Sequence, residues 1–266
     1  MERSFVMLTF DLEEFDIPEE YGQKVSETDQ MQVTLRGMEN VLSVLDAHDI
    51  RATFFTTGHF AAENPALIRK LAQKHEIASH ALVHAPMHVF RESDIADSRS
   101  ILEAVSGQTV NGFRMPRLKP FDRAALRREG FRYDSSLNPT WLPGRYNLLG
   151  EDPLPNRTDG LIELPCSTTP WLRFPLFWLS FKNLPLRIYA GLCGLTLRKR
   201  GNLMLYFHPW EFADLSAYTL PGYVKKTDGD KLTAKLDRLI RAMKKRNAAF
   251  VTCNAFCDKW EGDNQG

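Results

Sequence analysis

Two histidines four residues apart, His80 and His84 in the run Ser79-His80-Ala81-Leu82-Val83-His84, can present imidazole nitrogens to one metal ion from a single helical turn. A carboxylate would complete a recurring catalytic zinc set, which leaves one coordination position open for water or substrate. Asp11 and Glu13 stand two apart at the end of an apolar run, and residues two apart on a strand point the same way, so both reach one site while Leu12 faces the other side. One of them can bind a metal while the other accepts a proton from the metal's water, whose pKa a bound zinc lowers from about 15.7 towards roughly 7. His208, far along the chain, ends another apolar run and is suited to protonating an amine leaving group. An arginine beside Asp11 would hold that carboxylate ionised and oriented, and Arg114 ends a further run. Each feature alone has a bland reading, because carboxylates after strands cap helices and HxxxH is a weak pattern. Together they read as a metal-dependent hydrolase. His88 continues the four-residue spacing, but Pro86 interrupts a helix there, so His88 is read as a loop residue.

Strands must deliver these groups. Residues 5–10 form a short β-rich apolar run of the kind buried on both faces of a parallel sheet, and it ends in Asp11-Leu12-Glu13-Glu14. Met31, Leu35, Met38, Leu42 and Leu45 recur at spacings of three and four and predict a helix over 29–48. A strand over 52–57 stops at Gly58; Asn64 and Pro65 start a helix over 65–74; a strand over 76–79 delivers His80. Helices follow over 94–105 and 122–129, with strands over 110–114, 131–135 and 161–165. A strand over 203–208 ends at His208, a helix spans 231–245, and a last strand spans 249–252. The loop 222–230 is the expected mobile element. This alternation implies βα units around a parallel sheet or barrel, with the chemistry at the C-terminal ends of the strands.

Residues 171–197 break the rhythm, mixing Trp171, Phe174, Phe177, Trp178, Leu179 and Phe181 with Lys182 and Arg187. Packing against the barrel ranks first for this stretch, substrate contact second and membrane-surface contact third. Its charges, with Pro175 and Pro185, argue against a transmembrane span.

The chain has 266 residues, 43% of them hydrophobic and 25% charged, which fits one α/β domain over 1–266. A formal net charge of +1 gives no nucleic-acid footprint. Cys166, Cys193, Cys253 and Cys257 show no CxxC spacing and read as ordinary thiols. The start, Met1-Glu2-Arg3-Ser4, runs straight into a strand without a signal-peptide pattern, so the expected location is cytoplasmic.

Phe10-Asp11, His80-Ala81-Leu82-Val83-His84, Arg114-Met115-Pro116, Asp134 and Phe207-His208, in this order, resemble the polysaccharide deacetylase family, carbohydrate esterases of the NodB-homology type. The match runs from Leu8 to Trp210, and Ala52-Thr53-Phe54-Phe55 and Tyr206-Phe207-His208-Pro209-Trp210-Glu211 also look like family sequence. The resemblance implies a distorted, TIM-like (β/α) barrel of about seven strands with one divalent metal at its C-terminal face. It implies Asp11 as general base and His208 as acid. Arg114 would pair with the base, and Asp134 would tune the acid. The backbone N–H of Arg117 would help bind the oxyanion. The metal ligands it implies are Glu13, His80 and His84, with Glu14 the substitute for Glu13, because Leu12 stands where the usual TFDD motif has its second aspartate. Ala81 replaces the hydroxyl residue of HSxxH, and Leu118 stands where RxPxG has glycine.

The implied reaction is hydrolysis of an N-acetyl group from an amino sugar in a saccharide or glycoconjugate, with zinc as the first expectation and cobalt, nickel or manganese acceptable to the same donors. Two alternatives stand beside it. One is hydrolysis of another small amide on the same fold; the other is an inactive carbohydrate-binding relative, which the altered Leu12, Ala81 and Leu118 positions favour. Trp141, Trp171, Trp178 and Trp210 are candidate faces for sugar rings.

Overall fold

Strand β1, Phe5–Leu12, is buried from its second residue to its last, because it has a parallel neighbour on each side and layers above and below. The computed structural model in which it is seen describes residues 4–264. In chain order there follow α1 (Glu27–Ala47), β2 (Thr53–Thr56), α2 (Gly58–Glu63), α3 (Pro65–Ala72), β3 (Glu76–Ser79), α4 (Ser93–Ser106), β4 (Gly112–Phe113), α5 (Ala124–Arg128) and β5 (Tyr133–Asp134). A small hairpin, β6 (Trp141–Leu142) with β7 (Tyr146–Asn147), precedes β8 (Asn156–Thr158) and β9 (Leu161–Glu163). The chain ends with α6 (Trp178–Asn183), α7 (Leu186–Arg200), β10 (Asn202–Phe207), α8 (Gly222–Lys225), α9 (Gly229–Lys244), β11 (Ala249–Phe250) and α10 (Cys253–Asn264).

The sheet order is β10-β1-β2-β3-β4-β5-β9-β8, parallel as far as β9, with β8 antiparallel at the edge and β11 alongside β1. The sheet curls into a distorted barrel. Its gap is spanned beyond β9, where Ser167 N donates to the Met204 carbonyl at 3.1 Å and Met204 N donates to Ser167 Oγ at 2.8 Å. The expected α/β barrel class therefore holds.

The two-residue period of the strands sorts the side chains. Val6, Leu8, Phe10 and Leu12 pack in the main core beneath the helices, whereas Met7 joins Phe55, Ala78, Tyr133, Ile162 and Met204 inside the barrel. Thr9 and Asp11 share the inward parity of Met7. Leu12 therefore belongs to the outer layer, which explains why an apolar residue suits that position.

Helix α1 starts at Ser26, whose side chain accepts from Asp29 N, and buries Met31, Met38, Val41 and Leu45. Gly37 on its inner face meets the Pro209 carbonyl so closely that an added Cβ would lie 1.9 Å from it. Pro209 opens a 3-10 turn, Pro209–Phe212, directly after His208, so α1 is the backstop of the turn that carries His208.

Several elements lie outside the periodic signals. Gly58 starts α2 rather than ending the previous segment, with the Thr57 side chain accepting from Phe60 N. The β6–β7 hairpin, β8 and α10 were not expected, being too short or too polar to show a period, and the loop expected over 222–230 contains α8 and the start of α9. All four cysteines are buried and free. No helix among the described residues is long and apolar enough to cross a membrane. Because the atom facing Gly37 is backbone and cannot swing away, Gly37→Ala is expected to cost about 1–3 kcal/mol by overpacking. A lowered urea midpoint at unchanged slope is the expected reading; an unchanged midpoint would contradict the close approach.

Candidate active site

The chemistry-bearing residues sit at or just beyond the C-terminal ends of strands: Asp11 and Glu13 at β1, His80 at β3, Arg114 at β4 and His208 at β10. Glu13 Oε2 lies 3.1 Å from His80 Nε2 and 3.1 Å from His84 Nε2, and these three buried donors lie within 4.8 Å of one another. The two histidines do not share a helical turn. Residues 80–84 form an irregular loop with Ala81 at φ 56°, its N–H bonded to Ser79 Oγ at 3.2 Å. Gly58 and His59 at the start of α2 donate to the Ala81 and Leu82 carbonyls, supplying the support that the missing hydroxyl at Ala81 does not.

The partners of the rings fix what each nitrogen offers. His80 Nδ1 faces the Arg114 carbonyl at 2.8 Å, and a carbonyl can only accept, so Nδ1 carries hydrogen and the Nε2 lone pair turns inward. His84 Nδ1 likewise donates to Asp16 Oδ2 at 3.0 Å. Glu13 is oriented from its other side by Trp210 Nε1, 3.1 Å from Oε1, and by Thr34 Oγ1, which donates to the Glu13 carbonyl at 2.8 Å. Three lone pairs thus meet at one point and require a positive charge among them. A proton on His84 can serve: burial opposes it, yet Glu13 and Asp16 hold the imidazole up at about 10. Burial likewise opposes charge on Glu13, but His84, His208 and His80 hold its carboxyl well below the usual range. A divalent cation fits the same donors, two neutral imidazoles and a carboxylate, each oriented by an outer partner.

Asp11 Oδ1 accepts from Arg114 Nη1 at 2.6 Å, and Asp11 Oδ2 lies 3.8 Å from His208 Nε2. Arg114 is fully buried. Its other donors reach Thr9 Oγ1, the Ser135 carbonyl and Ser135 Oγ, and its guanidinium lies 4.0 Å from the Phe55 ring centre. His208 Nε2 is 3.9 Å from Glu13 Oε1, and its ring stacks on Trp210 at 4.9 Å.

Asp134 departs from expectation. Its carboxylate accepts from Ser136 and pairs with Arg123 Nε at 3.1 Å, beside Glu163, which the same guanidinium also holds. The carboxylate on His208 is instead Glu211, whose Oε1 accepts from His208 Nδ1 at 3.0 Å and from His208 N at 2.8 Å, while Oε2 lies 3.6 Å from buried Lys182 Nζ. The three-residue spacing of His208 and Glu211 across a Pro-initiated turn was the signal available in the sequence. Glu14 accepts from Thr57 Oγ1 at 3.0 Å and makes no ion pair with His80 or His84 among the described residues, so Glu13 is the carboxylate that reaches both. His88 pairs with Asp94 at 2.7 Å in a loop, away from the site.

Arg117 and Leu118 both adopt left-handed backbone, φ 58° and 51°, so the leucine takes a conformation that glycine would adopt without strain. The Arg117 side chain pairs with Asp16 and Glu20. Arg117, Leu118 and Glu20 line a cavity of about 250 Å³ together with Tyr146, Phe177, Trp178 and Tyr206. Of the four tryptophans that were candidate sugar faces, Trp178 reaches the cavity wall, Trp210 is buried beneath Glu13, and Trp141 and Trp171 are exposed. Asp16, which no motif marked, orients His84 and Arg117 together. Asp16→Ala is therefore expected to weaken divalent-ion affinity ~10–100-fold in a chelator competition titration; unchanged affinity would remove Asp16 from the site.

Residues 1–133 match the family model described as polysaccharide deacetylase. The chitooligosaccharide deacetylase of Sinorhizobium fredii (strain NBRC 101917 / NGR234) is 42% identical over 65 residues, 24% of this chain and 29% of that protein. That of Bradyrhizobium sp. (strain ANU 289) is 34% identical over 83 residues, 29% of this chain and 38% of that protein. The matched stretches thus span less than two-fifths of either relative. Among solved structures, a putative polysaccharide deacetylase from Mycobacterium smegmatis superposes with a TM-score of 0.60 at 22% identity, covering 90% of this chain and 84% of that one. The allantoinase Puue gives 0.67 at 17% identity, covering 97% and 90%. A CE4-family pseudoenzyme from Bacillus anthracis gives 0.54 at 14% identity, covering 96% and 65%. At these identities the structural likenesses establish the fold, and the family match over half the sequence establishes the lineage: the chain belongs to the polysaccharide deacetylase family.

Proposed function

We propose that the protein is a metal-dependent hydrolase that removes an N-acetyl group from an amino sugar in a saccharide or glycoconjugate. The observation that carries this reading is the joining, at one end of a cavity, of the Glu13, His80 and His84 donors with a carboxylate and an imidazole, Asp11 and His208, that belong to no part of that donor set. Membership of the family and the activity named for two curated relatives support it.

Glu13, His80 and His84 would hold one divalent ion, zinc first, with cobalt, nickel or manganese acceptable to the same donors. When bound, such an ion polarises an amide carbonyl and makes water a nucleophile at neutral pH. Asp11 would accept the proton of the attacking water through Oδ2, because Oδ1 is committed to Arg114. The Arg117 backbone N–H, in its left-handed turn, would donate to the developing oxyanion. His208 would protonate the departing nitrogen. Burial opposes its charged form, but Glu13, Glu211 and Asp11 outweigh burial and raise its pKa. Glu211 acts here as a positioning residue, the part expected of Asp134. Phe177, Trp178, Tyr146 and Tyr206 offer flat walls for a sugar ring.

Metal analysis by plasma mass spectrometry should find stoichiometric ion in the untagged protein and loss of it in a Glu13→Ala, His80→Ala double variant. Asp11→Asn and His208→Ala should keep the ion and lower kcat on N-acetylated chitooligosaccharides ~100–10,000-fold. Protein that refuses added zinc and cobalt would support the inactive alternative, and loaded protein that hydrolyses only other amides would replace the sugar substrate. The raised pKa of His208 keeps the acid protonated to higher pH. Removing the Glu211 charge should therefore lower that pKa, and Glu211→Gln should move the alkaline limb of the kcat/KM profile down by about one pH unit. An unmoved limb would sever Glu211 from the acid.

A further inference from the structure

Between Glu163 and Glu211 the chain carries no acidic residue, yet it holds Arg173, Lys182, Arg187, Arg198, Lys199 and Arg200. That is six positive charges over residues 164–210 in a chain of net charge +1. The folded protein brings three of them, Arg187, Arg198 and Lys199, to one exposed face, while Lys182 is buried beside Glu211. Helix α7 buries Tyr189, Ala190, Cys193, Thr196 and Leu197 against the barrel. Arg187, Ile188, Gly191, Leu195, Arg198 and Lys199 recur on the opposite side at helical spacing; all are exposed except Leu195, which is half-buried and joins none of the hydrophobic clusters. Arg187, Arg198 and Lys199 form no ion pair among the described residues.

Next to this stripe stands an apolar tip. Trp171 is 75% exposed and Leu172 is 87% exposed, and Lys199 Nζ lies 5.6 Å from the Trp171 ring centre. The tip is built to stand out. Thr168 and Pro175 bridge its base, Thr169 N donates to the Phe174 carbonyl at 2.8 Å, and Thr140 Oγ1 donates to the Arg173 carbonyl at 2.6 Å. Arg200 donates to the Thr169 carbonyl at 3.3 Å, and Trp171 and Arg173 themselves take left-handed backbone, φ 63° and 53°. A cross-tied loop thus holds two large apolar side chains in water beside a row of cations unpaired among the described residues.

We propose that this face docks the protein on the surface of an anionic lipid bilayer, with Trp171 and Leu172 entering the headgroup region and the outer side of α7 lying along it. The chemistry matches on each count. Tryptophan favours the membrane interface and cations beside it meet anionic headgroups; α7 keeps its apolar side on the barrel and offers the surface Arg187, Ile188, Arg198 and Lys199. The tip projects rather than forming a groove, which suits a fluid surface better than a peptide. Two copies of the face would bring like charges together, which opposes self-association. The tip lies by Lys199 at the start of β10, whereas His208 follows the end of that strand, so docking leaves the cavity unobstructed.

The test is co-sedimentation of the full chain with phosphatidylcholine vesicles, alone and with roughly 30% phosphatidylglycerol. The expected result is partition onto the anionic vesicles only, falling about tenfold or more with salt or in a Trp171→Ser, Leu172→Ser double variant, and lost in Arg187→Glu, Arg198→Glu, Lys199→Glu. Circular dichroism melts should be unchanged, because the altered side chains are outside the core; Leu172→Lys alone gives the same reading if the double variant melts early. Absence of binding to anionic vesicles would overturn the proposal, as would binding that both variants retain. A Trp171-dependent dimer in sedimentation velocity would also overturn it, assigning the face to a second copy.

Discussion

A guanidinium sealed from water organises the interior of this barrel. Arg114 spends its donors on Asp11, Thr9 and Ser135 and lies over the ring faces of Phe55 and Tyr206, so its charge is neutralised and solvated by protein alone. Burial of a cation is costly, but stripping away one partner costs more, about 3–5 kcal/mol, because the other charge is then left buried and unpaired. That penalty makes the arrangement close to obligatory once the sheet has curled. The same residue acts twice at the site: its side chain takes Asp11 Oδ1 and leaves Oδ2 towards the cavity, and its carbonyl takes His80 Nδ1 and turns Nε2 inward. The proposed base and a proposed ligand are therefore oriented from one point on the strand β4 end.

The second layer of support comes from two short acidic turns. Asp16, five residues beyond Asp11, bonds both His84 and Arg117; Glu211, three beyond His208, takes the histidine's ring and backbone N–H together. Trp210 between them ties the two halves, donating to Glu13 while stacking on His208. Left-handed backbone at Ala81, Arg117 and Leu118 costs on the order of 1–3 kcal/mol per residue. Packing around the cavity sustains it: Ala81 lies in the main core, and Leu118 packs against Cys166, Phe177 and Tyr206. At Ala81 and Leu118 the residue type departs from the usual motif, and packing holds the left-handed backbone there all the same.

Strand parity separates Leu12 from the acidic residues on either side of it. Inward side chains of β1 are Met7, Thr9 and Asp11, and Leu12 points into the helix-facing core. A carboxylate there would be buried among apolar groups, whereas Glu13, beyond the last paired residue, turns back to the side of Asp11 and has Thr34 to hold its carbonyl.

Alternating apolar runs and helical periods determined an α/β fold of βα units, the ends of α1, α4, α9 and β10, and the set of polar residues at the C-terminal ends of its strands, since those properties follow from local pattern and from what each strand must bury; the barrel itself came from the family resemblance. The sequence also narrowed the carboxylate to Glu13 or Glu14. Only the tertiary structure decided between them, by bringing Glu13 to both imidazoles and Glu14 to Thr57. It alone showed that His80 and His84 converge from an irregular loop, that Glu211 rather than Asp134 faces His208, and that Asp16 and Trp210 complete the site. These are contacts between distant segments, and a carboxylate on its own strand carries no mark of which histidine or arginine the curl of the sheet will bring within 3 Å of it.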